Sequence, residues 1–279
     1  MQRAQTPYPP VFGGPLASFT NAAAARVAEL ESAEAEYIAA LGGLREEAVD
    51  ALATVHPQLR HPAYNVVFGL RSAAPEAGGT LDRLVQMYRR LGLPLQVTVS
   101  PTAEPALVPI LRGRGYRRMA ERVWMEVFGS LPGRPRDPTV RARTTQDTGL
   151  WSKTVSAAVG VPEQAAFFES VAARSVYQPH HRLVLATVGG EPAGGLELSA
   201  ENGIGFLRHV GVLRPYRGQG VAHALLHEAC RLMDEVEVAR VATRAFAGTP
   251  AVAAFERYGF QPSHMTQDFV LSMPPFLMD

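Results

Sequence analysis

The sequence predicts an α/β protein made of two copies of one unit, each a mixed, mostly antiparallel sheet flanked by helices. Three observations lead there. Sliding the chain by 144 residues lays Gly259-Phe260 on Gly115-Tyr116, Val241 and Thr243 on Val97 and Val99, and Leu225 on Leu81, without a gap; chance matches rarely keep one register over several landmarks. Between the copies, Leu131 to Pro138 carries three prolines, a glycine and three charges, which forbid regular structure and keep the segment wet. In the second copy the hydrophobic period switches from two to helical and back, so strands alternate with helices. A length of 279 residues suits two domains with a core each; the expected boundaries are 1–131, a linker at 132–138, and 139–279.

The elements of the second copy follow in order. Thr144 to Val176 mixes polar and apolar residues and reads as two short helices, with Pro162 opening the second, since proline is favoured in a first turn. Arg182 to Val188 reads as a strand closing at Gly189-Gly190; Glu191 to Ser199 and Gly203 to Val212 continue it as an antiparallel meander. From Gly220 to Met233, Val221, Ala224, Leu225, Ala229 and Leu232 share one helical stripe. Ala239 to Thr243 is a strand, Pro250 opens a short helix that stops near Gly259, and a last strand is expected at Asp268 to Met273.

Composition excludes several classes of function. With 47% hydrophobic residues, 19% charged and a net charge of +1, neither disorder nor a nucleic-acid-binding surface is suggested, and the basic run Arg112, Arg114, Arg117, Arg118 reads as a solvated face. The single cysteine, Cys230, allows no internal disulfide and sits in an apolar-periodic stretch, which argues against thiol catalysis and fits a reducing compartment. No stretch approaches roughly 18 apolar residues, and the opening residues lack an apolar core. The expectation is a cytoplasmic protein without a membrane partner, monomeric or homodimeric. His223 and His227 share a helical face but have no evident third ligand, so no metal is expected, and His180-His181 reads as a loop pair.

Chemistry concentrates in Val210-Gly211-Val212-Leu213-Arg214-Pro215-Tyr216-Arg217-Gly218-Gln219-Gly220-Val221-Ala222, where a strand ends and a helix begins. Glycines at 218 and 220 allow a tight turn and close ligand approach, and the next residues offer free N–H groups at the positive end of a helix. Such an end binds phosphate. A glycine pair alone could be a simple turn, but the context is richer. The stretch resembles the acetyl-CoA signature Q/R-x-x-G-x-G/A of the GNAT acetyltransferase family, met by Arg217, Gly220 and Ala222, and Ala251 to Phe260 is similar to that family's A-x-x-L-Y-E-x-x-G-F segment. The resemblance covers roughly residues 140 to 273, and in outline the first half, as in tandem GNAT proteins.

The resemblance implies specific roles. Backbone N–H groups from Gly218 through Gln219, Gly220 and Val221 to Ala222 would hold the pyrophosphate of acetyl-CoA. The strand at Val210, Gly211 and Val212 would pair with the pantetheine arm where it splays from the strand at Val241, and an N–H there would polarise the thioester carbonyl. In many members a tyrosine in the late helix protonates the departing thiolate; here that position is Phe255, and the family's asparagine before the helix falls on Gly248. Phe255 would then only line the cofactor. Tyr258, three residues on, is the candidate to replace the lost hydroxyl, or else a packing residue.

Glu197 alternates with Leu196 and Leu198, so its carboxylate faces away from them, either as a general base for an amine or as part of a solvated outer face. The two-residue period places Arg208 with Ile204, Phe206, Val210 and Val212, and His209 opposite as a packed or surface residue. Arg208 either grips an anionic group of the acceptor or forms a structural ion pair. In the first copy the same offset brings Ala73 to Gly79 onto the loop; Pro75 lacks an N–H and Glu76 places a carboxylate where phosphate would sit, so that copy is expected to be degenerate, cofactor-free, and part of the acceptor pocket. The leading reading is an N-acetyltransferase acting on a primary amine of a small molecule or peptide in a ternary complex; its rival is a non-catalytic acyl-CoA-binding sensor or interaction protein.

Overall fold

The computed structural model describes residues 21–48, 51–71, 75–129, 139–238 and 240–271; the expected linker at 132–138 lies outside them. The chain runs through α1 (Asn21–Ala40), β1 (Leu44–Ala48), β2 (Ala51–Val55), β3 (Val66–Phe68), α2 (Pro75–Arg90), β4 (Leu95–Val99), α3 (Leu107–Gly113) and β5 (Tyr116–Phe128). It continues through β6 (Val140–Thr145), α4 (Thr148–Val159), α5 (Ala165–Ser175), β7 (His181–Val188), β8 (Glu191–Glu201), β9 (Ile204–Val212), α6 (Val221–Glu235), β10 (Arg240–Phe246), α7 (Pro250–Arg257) and β11 (Gln261–Leu271). Elements α2, β4, α3 and β5 recur nearly in register as α6, β10, α7 and β11 at the sequence offset. None of the described helices is long and apolar enough to cross a membrane.

The mixed, mostly antiparallel sheet expected of each copy is present, but among the described residues it forms one continuous sheet of 11 strands in the order β1-β2-β3-β4-β11-β5-β10-β9-β8-β7-β6. The two last strands change places. β11, from the second copy, pairs with β4 of the first, while β5, from the first, pairs with β10 of the second. β5 and β11 also pair with each other, Leu271 opposite Tyr116 and Gln261 opposite Glu126. β11 begins just after Gly259-Phe260, earlier than the expected Asp268, because polar Gln261, Ser263 and His264 and an intervening Pro262 hide a strand that a bulge accommodates.

Helices cover both faces. On one, α2 and α3 bury Leu81, Leu84, Tyr88 and Leu111 against β2 and β4, and α6 buries Leu225, Leu226, Ala229 and Met233 against β7 to β10. Each such leucine contributes roughly 2 kcal/mol by leaving water. On the other face α1 crosses the middle of the sheet, with Leu30 and Ala33 on Trp124 and Phe206, beside α4 and α5 with Trp151, Val155 and Phe168. α4 has a built start and stop: Asp147 accepts a hydrogen bond from the Leu150 N–H at 2.8 Å, and Gly160 takes φ 90° at the end.

Candidate active site

β9 and β10 run parallel and share pairing only from Ile204 and Arg240 to Leu207 and Thr243. The last joint is reinforced by the Thr243 hydroxyl, which donates to the Leu207 carbonyl at 2.9 Å. Beyond it the strands part. β10 follows β5, with Phe246 opposite Arg122, and β9 follows β8, with Val212 opposite Gly194, which leaves one edge of β9 facing an opening. In the first copy the strand equivalent to β9 is β3, which stops at Phe68, so among the described residues no matching arm extends past the pairing with β4.

The arm of β9 leads into the glycine loop. Gly218 and Gly220 have φ of 81° and 84°, a region costly for any residue with a Cβ, and space around both Cβ positions is open. The Arg217 guanidinium donates from Nε to the Val212 carbonyl at 3.1 Å, and Gln219 donates to the Pro215 carbonyl at 2.9 Å, so both side chains brace the loop. The first helical bond of α6 is Ala224 N–H to Gly220 carbonyl. Among the described residues, the N–H groups of Gly218, Gly220, Val221 and Ala222 have no protein acceptor, which fits a bound phosphate at a helix start. At the 144-residue offset Gly218 and Gly220 fall on Ala74 and Glu76, and the glycine pair of the first copy, Gly78 and Gly79, lies inside α2.

A bulge in β9 changes the side-chain phase beside the opening. Gly211 faces Gly195 but Arg208 faces Glu197, so His209 and Val210 together oppose Leu196, and His209 takes φ 55°. Arg208 and His209 therefore lie on one face instead of opposite ones, while Val210 and Val212 pack with the α6 core. That corrects the period-two placement: alternation holds only where the ladder is regular.

Glu197 is fully buried, which rules out the solvated outer face. Its carboxylate accepts from Tyr37 Oη at 2.8 Å and Ser175 Oγ at 2.7 Å, and His209 Nε2 stands 3.6 Å away. The imidazole lies between Trp151, Phe168 and the Tyr64 hydroxyl, with 22% of the side chain open. Burial pushes it down to about 4, so it is neutral at ordinary pH. His181, expected in a loop, begins β7, is buried, and pairs with Glu201 at 2.7 Å.

Arg208 reaches Glu34 of α1 at 3.2 Å, its guanidinium 3.7 Å from the centre of the Tyr37 ring. Arg244 of β10 pairs with the same Glu34 oxygen. Phe255 is buried against Phe260, with nothing to donate. Tyr258 stacks on His223 in the first turn of α6, ring centres 5.7 Å apart. The pattern of the sequence pointed to none of Tyr37, Tyr64, Ser175, Glu34 or Arg244. One signal was available: Glu31 and Glu34 fall on the helical stripe of Val27, Leu30, Tyr37, Ile38 and Leu41, and acids on a buried stripe need partners.

Residues 150–260 match the model of the Acetyltransferase (GNAT) family. No curated protein matches the sequence. Among solved structures, the chain is similar to a GCN5-related N-acetyltransferase from Kribbella flavida, TM-score 0.70 at 15% identity, covering 90% of this chain and 97% of that one. It is also similar to a GCN5-related N-acetyltransferase from Sphaerobacter thermophilus, TM-score 0.61 at 20% identity over 89% and 91%. A tandem GNAT protein from the clavulanic acid biosynthesis pathway follows, TM-score 0.56 at 16% identity over 79% and 77%. Those identities establish fold, and the family model supplies the rest: residues 150–260, which hold the forked strands and the glycine loop, form a domain of the GNAT acetyltransferase family.

Proposed function

We propose that this protein moves the acetyl group of acetyl-CoA to a primary amine of a small molecule or peptide, with both bound at once. The observation that carries this reading is the fork: the edge of β9 left unpaired by β10 leads through the glycine loop to a helix start where the N–H groups of Gly218, Gly220, Val221 and Ala222 have no acceptor among the described residues. Acetyl-CoA supplies an activated acyl carbon. The N–H groups of Gly218, Gly220, Val221 and Ala222 would hold its pyrophosphate, and the β9 edge at Val210 to Val212 would take the pantetheine arm. An amine that enters in its neutral form, its ammonium proton already lost to solvent, bonds the acyl carbon through nitrogen and passes the proton it then sheds to His209, and Glu197 at 3.6 Å stabilises the resulting imidazolium. Tyr258 stands in for the family's tyrosine and returns a proton to the departing sulfur. In this reading the first copy holds no acetyl-CoA and walls the acceptor side with Tyr37 and Tyr64.

Calorimetry and CoA release over a panel of amines test it together. One acetyl-CoA per chain is expected, and Gly220→Val, strained at φ 84°, should weaken binding at least tenfold. Tyr258→Phe should lower kcat about tenfold with acetyl-CoA affinity unchanged, short of the roughly 10²–10⁴-fold typical of a general acid because the leaving thiol is itself acidic enough to depart without much help. Two sites per chain would overturn the role of the first copy. Tight binding without transfer to any amine would assign a non-catalytic acyl-CoA-binding role, which the phenylalanine at 255 favours.

A further inference from the structure

Arg208 and Arg244 are the first residues past the last joint of the fork, one on each arm, immediately after Leu207 and Thr243. Both point to the α1 face, and both settle on one oxygen of Glu34. Two guanidinium groups thus share a single carboxylate atom. Their side chains are only 14% and 9% exposed, yet Arg208 Nε and Nη2 and Arg244 Nη1 have no acceptor among the described residues, and the second oxygen of Glu34 has no donor there either, so the three donors outnumber the one acceptor left beside them. Buried donors of this kind are rarely left unmatched. A third guanidinium, Arg122, is held by Asp268 at 2.7 Å and lies over the exposed ring of Phe246, the next residue of β10 on this face. His209, placed beside Arg208 by the bulge, sets a proton acceptor next to the spare donors.

From this juxtaposition we infer that the acceptor is an amine carrying a carboxylate a bond or two away, as in an α-amino acid. Its carboxylate takes the spare N–H groups of Arg208 and Arg244, and its amine is thereby set beside His209 and Glu197. Planar guanidinium donors match carboxylate oxygens in pairs, which a lysine would not. The inference rests on the transfer reading above and narrows its substrate.

The test compares the standard α-amino acids with their decarboxylated amines as acceptors, measured by CoA release. For at least one such pair, kcat/KM should be tenfold or more higher with the carboxylate present, and Arg244→Met should collapse that ratio at least tenfold while acetyl-CoA affinity stays as in the unaltered protein. A purely structural arginine would change stability and leave the ratio alone. Amines accepted as well as, or better than, their amino acids by the unaltered protein overturn the inference without touching the transfer reading, whatever the variant's folding. A ratio unchanged in folded Arg244→Met overturns it too. No transfer to either class, with acetyl-CoA bound, overturns the inference, and the transfer reading falls with it only when the wider panel of amines is silent as well.

Discussion

Single residues carry the chemistry of the buried acids, and Glu31 illustrates how. It is buried at the α1 stripe near Gly69, Ser100 and Arg71, and burial pushes its carboxyl from 4.5 up to about 7. A raised folded-state value favours the protonated form in the native state, so stability is intact below the unfolded value and drains away as pH rises from about 4.5 to 7. The loss is on the order of 3 kcal/mol at 1.36 kcal/mol per unit. Glu31→Gln should therefore raise urea stability at pH 8 relative to pH 4.5, compared with the unaltered chain; equal pH profiles for the two would show that Glu31 does not titrate across this window. At this scale the sequence was informative where geometry is regular and silent where it is not. The face of Glu197 followed from strand alternation, whereas the shared face of Arg208 and His209 depends on an extra residue in β9 that no period announces. Glu34, the ion-pair partner of Arg208, lies 174 positions away on α1, beyond the reach of any local pattern.

Among the elements, α1 does the most to assemble the acceptor side. Arg26, Glu29 and Glu34 meet Glu126, Arg240, Arg208 and Arg244 across the middle of the sheet. Replacing a buried ion pair by an apolar one can be neutral, but removing one partner strands the other charge. Glu34→Ala should cost about 3–5 kcal/mol, read from the denaturant midpoint, by leaving Arg208 and Arg244 without their common acceptor; a loss under about 1 kcal/mol would mean that water already serves these arginines. Element type and order in the second copy were legible, since the meander, α6 and α7 each keep a clean period. The start of β11 was not, because strands in the middle of a sheet tolerate polar residues when their partners supply matching groups, as Glu121 of β5 does by accepting from Gln267 Nε2 at 3.2 Å.

For the whole molecule the offset of 144 residues exposed the repetition but could not say which copy each last strand would join. The exchange of β5 and β11 places a strand of each copy inside the sheet of the other. Residues 1–131 and 139–279 expressed separately should each lack a central strand, aggregate or stay partly unfolded, and recover a cooperative transition only when mixed. A separate 139–279 fragment that folds cooperatively and binds acetyl-CoA would refute this. Physically, the exchange leaves no free edge at the junction, so the inner strands gain ladder bonds on both sides.

The strand exchange bears also on ancestry. Two identical single-copy chains joined through the same pair of strands would form this sheet as a symmetric dimer, and symmetry would oblige both forks to be alike. Fusion into one polypeptide lifts that obligation. A short β3 and a helix-bound Gly78 and Gly79 in one copy are then compatible with a long β9 and an intact glycine loop in the other.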